Sequence, residues 1–433
     1  LQGRVYAQMS NDYKAILDDA LKQRTDLLNL KGTAAAVVFP DGSIWSAAEG
    51  NYGTQTLNTD LLYEVGSNTK TMISACILQL EEEEKLTLHD TLYSILDPID
   101  DVSNGITIQQ LLNHKSGLYD YTQHPDFFSF VNSNWDATIT IENIFDDYMG
   151  KALENPGDKW EYCNTNYILL GMILEKIEQK PLKNILKDRL FTPLAMNNSH
   201  LAFLDSYSKT HTGSWLGSGR YLAEPSKSFM TGAWAAGAII STPEDLALWA
   251  HKLYGGEVLQ DSSFQKMTTT TKVSNSESYG LGMFKTVYKG KTYLGHGGTT
   301  LQNSEMQYSI EGKFSVVTMV IENNKGSQAR LVQRKLIDIL ESELKLVSTP
   351  ELTSELKNVV LYPNPSTDQV FIKHQSTNAV QLTIRDAIGT TVMVQDIQQN
   401  TTSLNHNLSS GLYFLTIADS ENGKQITKRF IVQ

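Results

Sequence analysis

The spacing of apolar residues changes along the chain, and each change predicts a different element. From about residue 9 to 29 they recur at helical intervals. "TAAAVVFPDGSIWSAAEG" then presents two short apolar runs around Pro40, Asp41 and Gly42, which predicts a hairpin. Residues 67 to 84 read as a buried helix beginning at Ser67. The chain stays helical and loop-rich to about residue 260, with "NYILLGMILEKIEQ" and "TPEDLALWAHKLY" as further helices. The second opens on Ser241, Thr242, Pro243 and Glu244, a capping box with proline at the first helical position. Strand patterns return at "YGLGMF", "KTYLGHGG", "SEMQYSI" and "KFSVVTMVIEN", the last two joined by Glu311, Gly312 and Lys313, and a helix follows over about 326–346. Strands at both ends with helices between them predict an α+β fold, in which the two ends share one antiparallel sheet, a helical lobe stands apart, and a cleft lies between. After Val347, "STPELTSELKN" is polar, and from Val359 the chain alternates in short strands: "QVFIKH", "VQLTIRD", "GTTVMVQ", "GLYFLTIAD" and "KQITKRFIVQ". The expected organisation is a large domain over 1–346, a linker over 347–358 and a small all-β sandwich over 359–433.

Composition bounds this picture without changing it. A chain of 433 residues is too long for one ordinary core, and 40% hydrophobic with 19% charged residues is globular composition. The net charge of −12 comes from 36 basic and 48 acidic residues. Residues 359–433 balance five basic against five acidic side chains, so the whole surplus sits before them, as expected of two separately composed domains. No basic cluster is present and nucleic acid is not an expected partner. No uncharged apolar run approaches the roughly 18 residues that cross a bilayer, so no membrane span is expected. "EEEE" at 81–84 ends the helix from Ser67; four carboxylates there oppose the helix dipole, so that end should fray or find basic partners. Cys76 and Cys163 have no metal-ligand spacing and read as two buried thiols; no metal or cofactor is expected. "VYAQ" carries the small-residue pattern of a signal-peptidase site after Ala7 without an apolar stretch before it, so an export-signal stump is the lesser reading.

The candidate chemistry starts at "VGSNTK". Ser67 and Lys70, one helical turn apart, put an amine within reach of a hydroxyl at the positive end of a helix. Ser-x-x-Lys also begins at Ser206, Ser263, Ser342 and Ser354, so the spacing alone leaves two readings open, a catalytic pair or a serine that caps a buried helix. Two further patterns weigh on the choice. "GDKWEYCNTNY" places Tyr162 and Asn164 two apart before a buried helix, and "YLGHGGTT" puts His296, Gly297, Gly298 and Thr299 at a strand end.

Ser-x-x-Lys, Tyr-x-Asn and a basic-x-Gly strand, in that order, resemble the serine β-lactamase and penicillin-binding-protein superfamily. The similarity is greatest to the branch of class C β-lactamases, D-alanyl-D-alanine carboxypeptidases, D-aminopeptidases and β-lactamase-like esterases, and it extends over residues 10–345, including "LLNHKSGLYDY" and "AAGAIISTPEDLALWA". It implies a β-lactamase/transpeptidase-like fold and hydrolysis through an acyl-serine. A serine hydroxyl needs a base to take its proton, and the resemblance gives that role to Lys70, with its pKa depressed by burial. Tyr162 is implied to relay the proton to the leaving group. Asn164 is expected to bond both Lys70 and the substrate. The backbone amides of Ser67 and Thr299 are expected to form the oxyanion hole, and His296, Gly297, Gly298 and Thr299 to line the substrate strand, with His296 as a titrating cation for a substrate carboxylate. His114 in "NHKSG" reads as structural. Histidine where dedicated β-lactamases of this branch usually have lysine puts antibiotic hydrolysis in doubt. The expected substrate is a small peptide, amide or ester, cell-wall peptides among them. The leading reading is a D-alanyl-D-alanine carboxypeptidase-like enzyme on D-configured peptides; a carboxylesterase on short acyl esters and a catalytically silent penicillin- or peptidoglycan-binding protein stand as alternatives. "LYPNPSTDQVFI" and "SSGLYFLTI" with "GKQITKRFIV" resemble a type IX secretion sorting domain, which implies a secreted or cell-surface enzyme and the secretion machinery as partner of the tail.

Overall fold

The computed structural model describes residues 11–347, 359–362, 366–373, 380–386, 390–397, 401–419 and 425–432. Ala7 and residues 348–358 of the polar link lie outside the described residues. The chain divides into two compact units, Gln8–Glu341 and a smaller one formed mainly by Ser342–Gln433.

In the larger unit, β1 (Gly32–Val38), β2 (Ile44–Tyr52) and β3 (Gln55–Thr56) follow helix α1 (Asn11–Leu27). Beyond a helical stretch come β6 (Thr271–Lys272), β7 (Glu277–Tyr279), β8 (Phe284–Tyr288), β9 (Lys291–Thr299), β10 (Asn303–Ser309) and β11 (Ser315–Val320). Among the described residues these nine form one antiparallel sheet in the order β3, β2, β1, β11, β10, β9, β8, β7, β6. Its seam is the pairing of β1 with β11, Ala35 opposite Thr318, so the two ends of the unit share the sheet. The apolar run of β1 is buried at every position, as a central strand covered on both faces requires. A small accessory sheet includes β4 (Tyr63–Glu64) paired with β5 (Ile239–Ser241).

The helical lobe holds α2 (Thr69–Glu82), α3 (Pro125–Ser133), α4 (Thr165–Glu178) and α5 (Lys227–Gly237); α6 (Pro243–Tyr254) packs on β1 and β11, and α7 (Gly326–Val347) follows the sheet. α2 has no polar stripe because it runs through the core: Met72, Ile73, Ala75, Ile77 and Leu78 are all buried. Its acidic end does find basic partners, with Arg189 bidentate on Glu83 at 2.7 and 2.9 Å and Lys266 on Glu81 at 3.0 Å.

Two local expectations are corrected. "YGLGMF" is not one strand: pairing stops at Tyr279 and resumes at Phe284. Between them Gly282 takes φ +78 and lies so near the core that a Cβ would meet Ser74 Oγ at 2.0 Å, which breaks the ladder. Pro243 is the first helical residue of α6 as expected, but the cap is Thr242 and not Ser241: Thr242 Oγ1 accepts from the Asp245 amide at 3.3 Å. Glu244 hydrogen-bonds Ser46 instead.

In the smaller unit, strands 360–362, 369–373 and 401–405 form one sheet and 391–397, 380–386, 411–419 and 425–432 another. Val370, Ile372, Leu382, Ile384, Leu415, Ile417 and Phe430 share one buried cluster between them, the alternate residues of each strand that period-two patterning placed inward.

Candidate active site

Ser67 stands in a single 3-10 turn, Gly66–Asn68, that leads from β4 into α2. Gly66 has φ +53, and a Cβ on it would come within 2.8 Å of the Thr299 amide nitrogen, so glycine is what lets this turn meet the end of β9. Lys70, in the first turn of α2, is carried into the core and is fully buried. Its Nζ donates to the Ala236 carbonyl at 2.7 Å and to Asn164 Oδ1 at 2.9 Å, and lies 3.0 Å from Ser67 Oγ. The first two partners accept through oxygen, so a neutral amine at this position aims its lone pair at the Ser67 hydroxyl and can receive its proton. Burial makes that neutral form accessible: it lowers the Lys70 pKa from 10.5 to about 7, against the nearby Asp120 carboxylate, which raises it.

Asp120 also fixes Asn164. Asn164 Nδ2 donates to Asp120 Oδ2 at 3.0 Å and to Thr122 Oγ1 at 3.3 Å, which leaves Oδ1 facing Lys70. The expected bond to Lys70 is therefore present, while both protons of the amide, which was also expected to bond the substrate, are engaged within the protein.

Tyr162 completes the cluster. It lines the same cavity as Ser67, Lys70 Nζ lies 5.0 Å from its ring centroid, and burial drives its pKa far above 10, so it stays a protonated phenol able to donate. His114 packs against the Tyr162 ring with centroids 4.3 Å apart. Its Nδ1 accepts from the Cys163 amide at 3.2 Å, so Nε2 carries the proton and donates to Tyr279 Oη at 3.1 Å. Tyr279 in turn donates to His296 Nε2 at 3.3 Å, and His296 Nδ1 donates to the Gly297 carbonyl at 2.6 Å. A chain of hydrogen bonds with one polarity thus ties the Tyr162 segment to β9. Cys76 and Cys163 are separate buried thiols, each pushed up to about 12 by burial.

This arrangement weighs against the expected cationic role of His296. The ring lines the cleft but is 4% exposed; burial, then the charge of Lys70, presses its pKa down to about 3, and it is neutral throughout the physiological range. The cations of the cleft are elsewhere. Arg330 and Arg334, one turn apart on α7, line it; Arg330 pairs with Glu277 at 2.8 Å and Glu305 at 3.1 Å, while Arg334 lies over the Tyr288 ring at 4.8 Å and forms no ion pair among the described residues. Neither the arginines nor Asp120 belongs to one of the three site motifs in the sequence; the i, i+4 spacing of Arg330 and Arg334 on an amphipathic helix is the one local signal, and only the fold turns that face toward the cleft.

Ser67, Tyr162, Asn164, His296, Gly297, Gly298 and Thr299 line one cavity of about 790 Å³, and Lys70 sits directly beneath Ser67. Among the described residues no group of histidine, cysteine, aspartate and glutamate side chains could hold a metal ion, and no helix is long and apolar enough to cross a membrane.

The sheet, the helical lobe and the cleft between them define the class of protein, a serine hydrolase. The chain belongs to the Beta-lactamase family, which matches residues 17–339, and residues 360–433 match the secretion system C-terminal sorting domain, a mark of export. A candidate penicillin-binding protein of Bacillus subtilis (strain 168), PbpX, is 26% identical over 286 residues, 65% of this chain and 67% of that protein. The chain spans between 52% and 67% of the length of the first curated relatives it matches. Among solved structures, a D-stereospecific amidohydrolase from Streptomyces sp. is 27% identical with a TM-score of 0.64, covering 75% of this chain and 97% of its own. A D-amino acid amidase from Ochrobactrum anthropi SV3 has the same fold, with 20% identity, a TM-score of 0.69 and coverage of 77% and 100%.

Proposed function

We propose that this protein hydrolyses amide bonds of D-configured peptides or amino-acid amides through an acyl-serine, in the manner of a D-alanyl-D-alanine carboxypeptidase. The observation that carries the reading is the buried Lys70 amine, 3.0 Å from Ser67 Oγ with a pKa near 7. In the proposed reaction Ser67 Oγ attacks the scissile carbonyl as its proton passes to Lys70 Nζ, and the backbone amides of Ser67 and Thr299 receive the oxyanion. Tyr162 donates its proton to the leaving nitrogen and recovers one from the Lys70 ammonium. Water then attacks the acyl-serine and gives up its proton to the same pair, which passes it to Ser67 Oγ as the acyl–oxygen bond breaks, releasing the acid and restoring the serine hydroxyl.

Asn164 acts in this scheme by orienting Lys70, not by gripping substrate. The amidohydrolase and amidase relatives support an amide bond on a D-residue, and Arg334 supports a peptide that ends in a carboxylate. The sorting-domain match supports a secreted or cell-surface enzyme whose tail is read by the secretion machinery. Initial rates on D-Ala-D-Ala peptides, D-amino-acid amides, short acyl esters and nitrocefin test the substrate class. Turnover of esters alone would replace this reading with a carboxylesterase. Fluorophosphonate labelling that persists in Ser67→Ala would remove the acyl-serine itself.

A further inference from the structure

The two sides of the cleft differ in chemistry. Its acidic and basic lining residues, Glu305, Arg330 and Arg334, come from β10 and α7, beside Phe284 of β8 and Leu331 of α7. The helical lobe contributes a cluster of three phenylalanines and no acidic or basic lining residue: Phe127 and Phe128 from α3 and Phe229 from α5.

This phenylalanine wall is built in two layers. Phe127 is buried and meets Tyr121 edge-on with centroids 5.0 Å apart and Tyr148 at 5.3 Å. Gly232 on α5 allows the helices to approach, since a Cβ there would lie 3.3 Å from the Phe127 ring. This inner layer is core packing. The outer layer is not: Phe128 is 46% exposed, lies near-parallel to Phe229 with centroids 6.3 Å apart and planes 22° apart, and gains little of the burial that would stabilise a phenylalanine. Contiguous apolar surface facing a catalytic cavity is the usual mark of a binding surface.

We infer that the substrate carries a bulky apolar group, aromatic or branched, on the acyl side of the scissile bond, and that Phe128 and Phe229 select for it. The inference rests on the acyl-serine reading above. The acyl side follows from the charges, because a peptide's leaving end carries the carboxylate and belongs with the arginines, which leaves the aromatic wall to the acyl group. An ionised acyl side chain finds no counter-charge on this wall and would lose its hydration against it.

Activated esters with one leaving group and different acyl chains test the selection apart from the question of peptide or ester. The full chain, Phe128→Ala and Phe229→Ala should each be assayed for kcat/KM on p-nitrophenyl acetate, butanoate and 3-phenylpropanoate, with fluorophosphonate labelling of Ser67 in parallel. The full chain should prefer 3-phenylpropanoate to acetate by about 10- to 100-fold, and each variant should lower that ratio by at least about threefold. Phe128 is exposed enough that its truncation tests the wall even if Phe229→Ala fails to fold. A ratio of one or less in the full chain, or one unchanged in a variant that still takes the label, overturns the proposal alone. Failure of Ser67 to label in the full chain overturns the acyl-serine reading, and this proposal with it.

Discussion

The sharpest consequence of the site is the pH at which Ser67 acylates. An ordinary lysine side chain holds its proton to about pH 10.5, which leaves roughly one amine in three thousand neutral at pH 7; Lys70, at about 7, is neutral about half the time. Burial therefore disfavours the ammonium by about 5 kcal/mol and enlarges the population of competent base roughly 1000-fold at neutral pH. If Lys70 takes the Ser67 proton, kcat/KM for acylation should rise about tenfold per pH unit below 7 and level off above it. The histidines near the cleft cannot imitate this limb, because burial holds His114 well below its usual range and His296 at about 3. Glu64, three residues before Ser67 and raised by burial to about 7, could imitate it, so two variants separate the groups. Asp120→Asn removes the charge that favours the ammonium and should move the limb down by about one pH unit. Glu64→Gln should leave it in place. Stopped-flow acylation by a p-nitrophenyl ester between pH 5 and 9 reads all three proteins. A wild-type profile with no rise between pH 6 and 8, or a limb that follows Glu64 and ignores Asp120, refutes the assignment of Lys70 as the base.

Glu64 should also leave a mark on stability: its folded pKa of about 7 against 4.5 contributes about 3 kcal/mol that is fully present below pH 4.5 and lost as pH rises through 7, so the fall in melting temperature over that window should flatten in Glu64→Gln. Because His296 is already neutral, KM for a carboxylate-terminated peptide should be flat from pH 5 to 8, whereas Arg334→Ala should raise that KM about tenfold and leave a neutral ester's unchanged; a KM that climbs through pH 6.5 would restore a histidine cation. Lys70→Arg should lower acylation by about 100- to 10,000-fold, since a guanidinium keeps its proton, and a milder loss in the same stopped-flow assay would mean another group takes it. A chain ending after Val347 should retain its turnover and the melting transition of the larger unit, as activity assays and calorimetry on the truncated protein will check.

Local patterns were enough to reveal most of the architecture. Short apolar runs bounded by turn residues marked β1, β2, β10 and β11 because such a run is a local property of the strand, and the change of texture after Val347 marked a second unit because its residues balance their own charge and fill their own core. The spacings of Ser67 with Lys70 and of Tyr162 with Asn164 were legible for the same reason, since each pair lies within one turn or one extended segment. What the linear order could not supply is every relation that crosses the cleft. Asp120 stands 44 residues from Asn164 and fixes which face of its amide meets Lys70. The His114, Tyr279 and His296 chain joins segments that have nothing in common in the sequence, and it is their mutual burial, not the identity of residue 296, that makes that histidine neutral. Burial also sets the Lys70 pKa near 7, and burial is decided by which helices close over α2. A motif names the groups that can react; their protonation and orientation depend on desolvation and on distant partners, which exist only once the chain has folded.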